Sequence, residues 1–399
     1  MKKISLLLVL LMGIISGCSC KDEEEIIKTS IFSSYIRGYE NKESSSYVII
    51  EPFGTYISLV GYNEKKVNNL QDELNDMVVK YHSLLDRNYY YKDSEGNFIN
   101  NIKVINDSYG TGEEIVVDEI IIEILNEGIK YTKLSNGSFN VVSGSIVDVW
   151  DDRFNFTEKY HVDPTSEEVS EGMKCVPSVS VIDEVLVIDD ENNTVKFNSF
   201  GNCSSGASIT LGALAKSYFL DKLSSVKEFE NVGPSIYDAG QSSIIVRGDN
   251  PTRDGGVWNV AIRDSYNGGY AVQLHLNEDS AVSTSSGDNK GYVNEQGVRR
   301  HHIIDARDGY PNTYLLATTV VGESAMIVDI ATTTLMSMDN LNDMKNYLLA
   351  LENMGINLSV LLQVEENNHL KIFVNDSMNS MVDNIGQNDT VIEGFNYGA

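Results

Sequence analysis

Apolar residues recur along this chain with a helical period in four places. Over 64–85 and again over 117–135 they return every three or four positions, so each stretch is predicted to be a helix with one buried face. A further helix is predicted over about 340–354. A fourth carries Asp329 and Thr333, which are four residues apart and so share one face of the helix.

Strand-like patterns fill most of the remaining chain. From Tyr237 onward, short β-rich runs with turn residues every eight to twelve positions predict an antiparallel sheet. Residues 318–321, 358–363 and 371–374 are typical of strands, and 138–150 is typical of a packed β-segment that could also line a pocket. Because helices and strands interleave without strict alternation, we predict an α+β fold in which helices pack against antiparallel sheets.

A single domain is predicted over residues 46–399. The sequence contains no Pro- or Ser-rich linker and no internal repeat that would mark a boundary. Residues 151–200 are polar, and Pro164 and Pro177 interrupt any period, so this stretch is predicted to be a variable insertion without chemistry.

The N-terminal residues 1–17 have the pattern of a secretory signal: two lysines, an apolar run too short to span a bilayer, and small residues. The following Cys18 lies in a bacterial lipobox-like context, which predicts lipid on its sulfur; an ordinary signal peptide with a chance cysteine is the alternative. Residues 18–45 would then form a lipidated tether that holds the domain at the extracytoplasmic face of the cell membrane.

The formal net charge of −28 argues against nucleic acid as a partner. To bind an anionic ligand, this acidic protein would need a local positive site made of a metal ion, backbone N–H groups, or a Lys or Arg side chain. An extracytoplasmic location permits a disulfide between Cys175 and Cys203, although the sequence does not establish it and contains no zinc-type spacing.

The richest candidate chemistry lies between His301 and Leu335. Two His, two Asp and one Arg fall within eight residues, ahead of the helix that carries Asp329 and Thr333. Hard oxygen ligands beside such a loop suit Mg²⁺ and phosphate. A glycine-bearing turn that runs into a helix with Lys216 also suits phosphate, or is an ordinary helix start.

Two linked motifs in this chain resemble the ApbE family of FAD:protein FMN transferases. HIIDARDGYP at 302–311 is similar to the family's H-x-I-D-P-x-T-G-x-P, and SAMIVDIATT at 324–333 is similar to its S-A-M-x-x-D-x-x-x-T. Weaker similarities are FGT at 53–55, the segment 138–150, and TLGALAKSYFLD at 210–221. The chain departs from the family pattern at four positions: Thr210, Ser217, Ala306 and Asp308.

The resemblance implies a site for FAD and Mg²⁺. The implied metal ligands are Asp329, Thr333 and the backbone carbonyl of Ala213. The implied FAD contacts are Phe53, Phe139, Asn140, Val141, Thr210, Lys216 and Ile304, with Arg307 close to the pyrophosphate. Asn88 or one of the neighbouring tyrosines, Tyr89 or Tyr90, would take the position that often stacks on the flavin. His302 would act as the base or orient the site, and Asp305 is the alternative.

The implied reaction moves FMN from FAD to a threonine of an extracytoplasmic flavoprotein and releases AMP. It is a phosphoryl-type transfer, in which charge develops on the pyrophosphate and a base removes the hydroxyl proton. Two alternatives remain open: an FAD pyrophosphatase that gives FMN and AMP, and a non-catalytic flavin-binding or solute-binding lipoprotein.

Overall fold

The computed structural model describes residues 28–42, 46–154, 160–204, 206–240, 242–277, 279–288, 290–386 and 391–397. Cys18 and the signal-like segment before it lie outside these residues. The strands are β1 (Thr29–Phe32), β2 (Ile36–Gly38), β3 (Val48–Ile50), β4 (Ile57–Gly61), β5 (Glu114–Val116), β6 (Leu186–Asp189), β7 (Thr194–Phe197), β8 (Ser235–Ala239), β9 (Ser243–Arg247), β10 (Trp258–Arg263), β11 (Tyr270–Leu276), β12 (Ser280–Ser286), β13 (Gly291–Val293), β14 (Arg299–His301), β15 (Ile304–Asp305), β16 (Tyr310–Pro311), β17 (Ala317–Gly322), β18 (Ser359–Glu366), β19 (His369–Val374), β20 (Val382–Ile385) and β21 (Val391–Gly394).

The helices alternate irregularly with these strands. They are α1 (Glu64–Asn68), α2 (Gln71–Leu85), α3 (Ile102–Asp107), α4 (Glu119–Leu134), α5 (Gly144–Phe154), α6 (Ser166–Met173), α7 (Ile182–Val185), α8 (Ala215–Ser224), α9 (Lys227–Glu230), α10 (Ala325–Ser337), α11 (Leu341–Asn353) and α12 (Asp376–Met381). None of the helices in the described ranges is both long and apolar enough to cross a membrane.

A nine-stranded sheet forms the centre of the molecule, in the order β1-β4-β8-β9-β12-β17-β18-β19-β21. Every neighbouring pair in it is antiparallel except β19 and β21. The predicted α+β class is therefore confirmed. Smaller sheets, including the three-stranded β5-β7-β6 and β10-β11-β20, surround it.

Helix α10 lies against the middle of this sheet, in contact with β12 and β17, and α8 packs beside it. Most residues of α10 are buried, and Val328, Ile330 and Leu335 join Phe219 of α8 in the main hydrophobic core. Burial of this kind contributes roughly 2 kcal/mol for each large aliphatic side chain. The position of the candidate ligands on α10 is thus fixed by core packing.

Two predicted elements differ from the structure. The helix predicted over 64–85 is divided at Asn69 and Leu70 into α1 and α2, because Leu70 leaves helical geometry. The β-segment predicted over 138–150 is wrong: residues 138–143 form bends and turns, and the second half belongs to helix α5. The buried Ile146 and Trp150, four residues apart, give that half a helical period.

Residues 160–200, most of the stretch predicted to be a variable insertion, are folded into the domain. They contain α6, α7, β6 and β7, and Val185, Leu186, Val195 and Phe197 enter the main core. A disulfide joins Cys175 to Cys203, which the sequence permitted without establishing. The bridge ties the segment to the loop that leads into α8.

Candidate functional site

The carboxylate of Asp329 lies at the centre of the candidate site. The residue is only 3% exposed. One oxygen, Oδ2, accepts a hydrogen bond from Lys216 Nζ at 2.6 Å, and Oδ1 accepts one from Ser283 Oγ at 3.0 Å. Thr333, one turn further along α10, is partly exposed on the same side of the helix. The structure therefore brings together the predicted Lys216, Asp329 and Thr333.

Serine hydroxyls connect Asp329 to the central sheet. Ser283 of β12 lies 3.2 Å from Ser243 of β9 and 3.1 Å from the carbonyl oxygen of Ser242, oxygen to oxygen. Ser283 has one hydroxyl proton, so a bond to Asp329 requires that Ser243 donate to Ser283. Ser283 and Asp329 are 46 residues apart, so only the fold brings them together.

Asp221, at the end of the α8 motif, fixes the start of α10. Its carboxylate accepts hydrogen bonds from Ser324 Oγ at 2.6 Å and from the backbone N–H groups of Ala325 and Met326 at 2.7 and 3.0 Å. Burial raises the pKa of Asp221, and these hydrogen bonds oppose that effect. Asp221 thereby ties the helix that supplies Lys216 to the helix that supplies Asp329.

His302 follows the hairpin formed by β13 and β14. Its backbone N–H and its Nδ1 lie 3.1 and 3.2 Å from the carbonyl oxygen of Lys290. A carbonyl only accepts, so Nδ1 carries the proton of the neutral ring and Nε2 carries the lone pair. This is the tautomer that a general base requires.

Electrostatics favour the neutral form of His302. Its pKa is lowered to about 4, first by desolvation and further by the charges of Lys290 and Lys216, while Asp151 acts in the opposite direction. His302 is nevertheless exposed to solvent, so water screens part of the effect of these charges on its pKa. The influence of Lys216 also puts His302 in the same neighbourhood as Asp329.

Lys290 and Asp151 were not predicted as site residues. Lys290 Nζ bonds to Asp151 Oδ1 at 2.5 Å, which connects the hairpin that precedes His302 to helix α5. Asp151 falls in the stretch expected to be without chemistry. The position of Asp151 near His302 depends on contact between α5 and a hairpin about 140 residues later in the chain, which no local sequence pattern predicts.

Asp305 and Arg307 form a separate ionic group. Arg307 Nη2 lies 2.6 Å from Asp305 Oδ2, its Nε contacts both oxygens of the same carboxylate, and its Nη1 lies 3.2 Å from Asp343. Asp305 is buried, and the hydrogen bonds described for its carboxylate come from Arg307. The structure thus places Asp305 in a pair with Arg307 and shows no hydrogen bond from it to His302 in the described chain.

A cleft of about 470 Å³ opens beside this group, lined by Asp305, Arg307, Asp308 and Asp339 among others. Burial raises the pKa of Asp308, whose carboxylate accepts the backbone N–H of Tyr310 at 2.9 Å. The departure at Asp308 is therefore accommodated within its own turn.

Phe53 packs on α8, the helix that also carries Lys216. Its φ of 56° lies in the left-handed region, its N–H donates to His82 Nδ1 at 3.1 Å, and its ring stacks on Phe219 with centroids 5.4 Å apart. Thr55, two residues later, packs so closely on Gly240 that a Cβ there would collide with its hydroxyl. The FGT turn is thereby held against the turn before β9.

Phe139, Asn140 and Val141 are buried behind the site. Asn140 Nδ2 donates to the carbonyl oxygen of Pro177 at 2.8 Å, and its Oδ1 accepts the N–H of Val142 at 2.9 Å. Phe139 and Val141 belong to the main core. Thr210 pairs its N–H with the carbonyl of Val141 at 2.9 Å. In this structure Phe139, Asn140 and Val141 are therefore packed in the protein interior.

The remaining predicted residues lie around the edges. Ala213 and Ile304 are partly buried, and Asn88 is exposed. The hydroxyl of Tyr90 bonds to Asp107, and its ring lies 5.4 and 5.1 Å from the ammonium groups of Lys42 and Lys103. The structure thus places Tyr90 among charged partners and leaves Asn88 open.

Arg87, beside Asn88, was also missed. It pairs with Asp148 of α5 and donates to Ser208 Oγ at 3.3 Å, and a Cβ at Gly144 would lie 2.6 Å from its Nη1. Arg87 therefore joins three segments that border the site, a role that no local sequence signal indicates.

Cavity size does not locate the site. A cavity of about 550 Å³ lies between α4 and β6, lined by Ile129, Lys133 and Leu186 among others. It contains neither His302 nor Asp329. The described residues contain no group of three or more His, Cys, Asp or Glu suited to holding a metal ion. The candidate set of Asp329, Thr333 and Ala213 contains only one such residue, and its other donors are a hydroxyl and a carbonyl.

Comparison with known proteins assigns the chain to a family. The sequence model of the ApbE family matches residues 53–354, which include the FGT turn, α8 and α10. The chain belongs to the ApbE family. The match begins at Phe53 and extends beyond the end of α11.

Known ApbE relatives are distant in sequence. The FAD:protein FMN transferase of Vibrio cholerae is 25% identical over 69% of this chain and 73% of its own length. The protein of the same name from Haemophilus influenzae is 26% identical over 68% of this chain and 72% of its own.

Solved ApbE structures share the fold. The ApbE protein of Thermotoga maritima has a TM-score of 0.65 and 21% identity, and it covers 88% of this chain and 100% of its own. The flavin transferase ApbE of Vibrio cholerae has a TM-score of 0.64 at 21% identity, over 89% of this chain and 100% of its own.

Proposed function

We propose that this ApbE-family chain is a Mg²⁺-dependent FAD:protein FMN transferase that modifies a threonine of an extracytoplasmic flavoprotein and releases AMP. The observation that carries the proposal is the arrangement of a buried carboxylate, Asp329, paired with Lys216, near a neutral His302 whose lone pair is on Nε2. The names of the relatives in Vibrio cholerae and Haemophilus influenzae support the same activity.

The donor chemistry fits Mg²⁺. A carboxylate (Asp329), a hydroxyl (Thr333) and a backbone carbonyl (Ala213) are the hard oxygen ligands that this ion takes. When bound, Mg²⁺ would supply positive charge to the pyrophosphate as its charge redistributes. Burial of Asp329 beside the partly exposed Thr333 leaves one side of the set open to a substrate.

The protein's own residues account for the proton and charge movements. The threonine Oγ attacks the phosphorus of the FMN half of FAD, the P–O bond to AMP breaks, and AMP leaves with the bond's electron pair. His302 Nε2 accepts the threonine proton, and the carbonyl of Lys290 holds Nδ1–H so that the ring remains oriented. The Lys216 ammonium offsets negative charge on the pyrophosphate.

The test combines the purified chain with FAD, Mg²⁺ and a threonine-bearing acceptor domain. We expect flavin fluorescence on the acceptor after denaturation, with one AMP formed for each labelled acceptor. Asp329→Asn should lower the rate at least ~100-fold, since removal of a transition-state charge partner commonly costs that much. Asp339→Asn, an exposed carboxylate of the neighbouring cleft, is the matched control and should retain activity. Intact bound FAD with the unaltered chain would reject transfer and point to a binding protein.

FAD hydrolysis is a second candidate, favoured by two observations. His302 is open to solvent, so water can take the place of the threonine hydroxyl. The Tyr90 ring already contacts Lys42 and Lys103, which leaves it less available to stack on the flavin. Formation of AMP and free FMN, without labelled acceptor, would support this activity over transfer.

We further propose that lipid on Cys18 anchors the chain to the outer face of the cell membrane. The signal-like residues 1–17 and their lipobox-like end support this location. Cys18→Ser should release the protein from the membrane fraction of an expressing bacterium. Retention of that variant in the membrane would exclude the lipid as the anchor.

A further inference from the structure

The hairpin of β2 and β3 presents an outward face of apolar and aromatic side chains. Arg37 pairs with Ile49 across the two strands. Because side chains alternate along a strand, Tyr35 shares the face of Arg37, and Tyr47 shares the face of Ile49. Tyr35 is 68% exposed, Tyr47 46% and Ile49 62%. We call these four residues the hairpin patch.

The other face of the hairpin packs on the domain. Ile36 is 6% exposed, and a Cβ at Gly38 would lie within 3.0 Å of Tyr89 Cβ and closer still to the tip of Ile50. A backbone bridge between Tyr39 and Tyr90 holds the hairpin's end. The hairpin patch is therefore held outward by a fixed support.

The composition of the hairpin patch suits a membrane interface. The Arg37 guanidinium carbon lies 4.6 Å from the centroid of the Tyr47 ring. Tyrosines with an apolar body and a polar tip, together with an arginine, are typical of the headgroup region of a bilayer. Phe32, three residues before Tyr35, is also 52% exposed.

The short distance along the chain from Cys18 to the hairpin indicates that a membrane surface covers the patch. Nine residues lie between Cys18 and Lys28, the first described residue, and the ten steps between their Cα atoms span at most about 36 Å when fully extended. Phe32 follows four residues later. We propose that the hairpin patch rests on the headgroup region of the bilayer that holds the Cys18 lipid, an inference that rests on the anchor proposed above.

Charge favours the same orientation. The chain carries a net charge of −28, so most of its surface is repelled by an anionic bilayer. Arg37 lies within the patch, and Lys42 and Lys92 lie over the rings of Tyr90 and Tyr39 beside it, against the exposed Glu40 and Glu51. Over residues 36–50, Arg37 and Lys42 are balanced by Glu40 and Glu43, so the hairpin carries no net charge in a chain whose net charge is −28.

This orientation would bring Phe53, an FAD contact implied by the family resemblance, close to the bilayer. Phe53 follows Ile49 by four residues, so the two Cα atoms are at most about 14 Å apart. A site held at that height would be placed to reach threonines on membrane proteins or on proteins bound at the membrane surface.

The test places an environment-sensitive NBD fluorophore on the hairpin patch. The lipidated full-length protein with Cys20→Ser and Ile49→Cys is labelled at position 49, and the control carries Val187→Cys on β6, where the native side chain is 39% exposed. Both are reconstituted on vesicles of phosphatidylcholine with a minority of phosphatidylglycerol, with or without headgroup-linked nitroxide lipid. We expect the probe at 49 to be quenched several-fold more than the probe at 187. Equal quenching overturns the proposal.

The outcomes separate this inference from the anchor. If lipidation fails, the protein does not float with the vesicles, whereas a failure of the patch alone gives floating protein with no selective quenching at 49. A blue-shifted probe at 49 without vesicles and without nitroxide quenching would assign the patch to another part of this chain. A dimer in sedimentation that Ile49→Glu dissociates would assign it to a second copy. Either result overturns the proposal.

Discussion

A carboxylate as buried as that of Asp329 is costly unless nearby groups compensate its charge. Lys216 and Ser283 do so here, from α8 and β12 respectively. The four-residue spacing of Asp329 and Thr333 could be recognised in the sequence because helical geometry is local. The pairing of Asp329 with Lys216 could not, because 113 residues separate them.

The two charges beside His302 should move its pKa in opposite directions. The Lys290 ammonium lowers this pKa and Asp151 raises it. We therefore expect Lys290→Met to raise the pKa of His302 and Asp151→Asn to lower it, which can be measured by NMR titration of the ring. The acid limb of the transfer rate should shift with each variant in the same direction. Shifts of the same sign in both variants would show that the charges act through structural change instead.

His301 should make the fold sensitive to acid. It is 3% exposed, and burial together with the His302 and Arg300 charges lowers its pKa to about 4, from 6.5. A depressed histidine pKa means that the unfolded chain binds the proton first, so this contribution to stability is complete above pH 6.5 and is lost as pH falls towards 4. The loss approaches roughly 3 kcal/mol at pH 4.

His301→Asn isolates this contribution, since the amide oxygen can still accept the N–H of Ile303 as Nδ1 does at 3.2 Å. The free energy of unfolding, measured with denaturant at pH 7 and pH 5, should fall less on acidification in the variant than in the original chain. An equal fall in both would place the acid sensitivity elsewhere.

At the level of elements, α10 depends on a cap from a different helix. Asp221 of α8 bonds to Ser324 Oγ and to the first N–H groups of α10. We expect Asp221→Ala to lower the free energy of unfolding by about 1–3 kcal/mol, because buried donors would lose their acceptor. Asp221→Asn, which keeps a capping oxygen, should lose less. Denaturant titration of both variants separates the loss of the capping hydrogen bonds from the loss of side-chain volume. An equal fall in the free energy of unfolding for the two variants would contradict the role of the cap.

Element prediction succeeded where the apolar period was long and failed where it was short. The period over 117–135 corresponds to α4, which begins after the Asp118 cap and ends at Leu134. Helix α5 was missed because the apolar run of Val141 and Val142, which lie in a turn, precedes the helix and hides the helical spacing of Ile146 and Trp150. A local pattern of hydrophobic residues does not show at which residue an irregular segment ends and a helix begins.

On the scale of the whole molecule, the disulfide links the segment around α6 to the loop before α8. Cys175 and Cys203 are 28 residues apart. A crosslink over a loop of that length stabilises a fold by roughly 3–4 kcal/mol in the chain-entropy account. We expect the Cys175→Ala, Cys203→Ala double variant to unfold at correspondingly lower denaturant concentration, and dithiothreitol to have the same effect on the original chain. Dithiothreitol should leave the double variant unchanged, and a response there would contradict the assignment.

The central sheet has its two ends at the two ends of the described chain. β1 forms one edge and β21, the last strand, forms the other, paired in parallel with β19. Until β21 arrives, β19 presents a row of unpaired backbone groups, and exposed strand edges promote association between chains. If the chain is exported unfolded, as the proposed lipid anchor implies, the sheet is completed only after β21 has been translocated, and a copy truncated before β21 would carry an open edge.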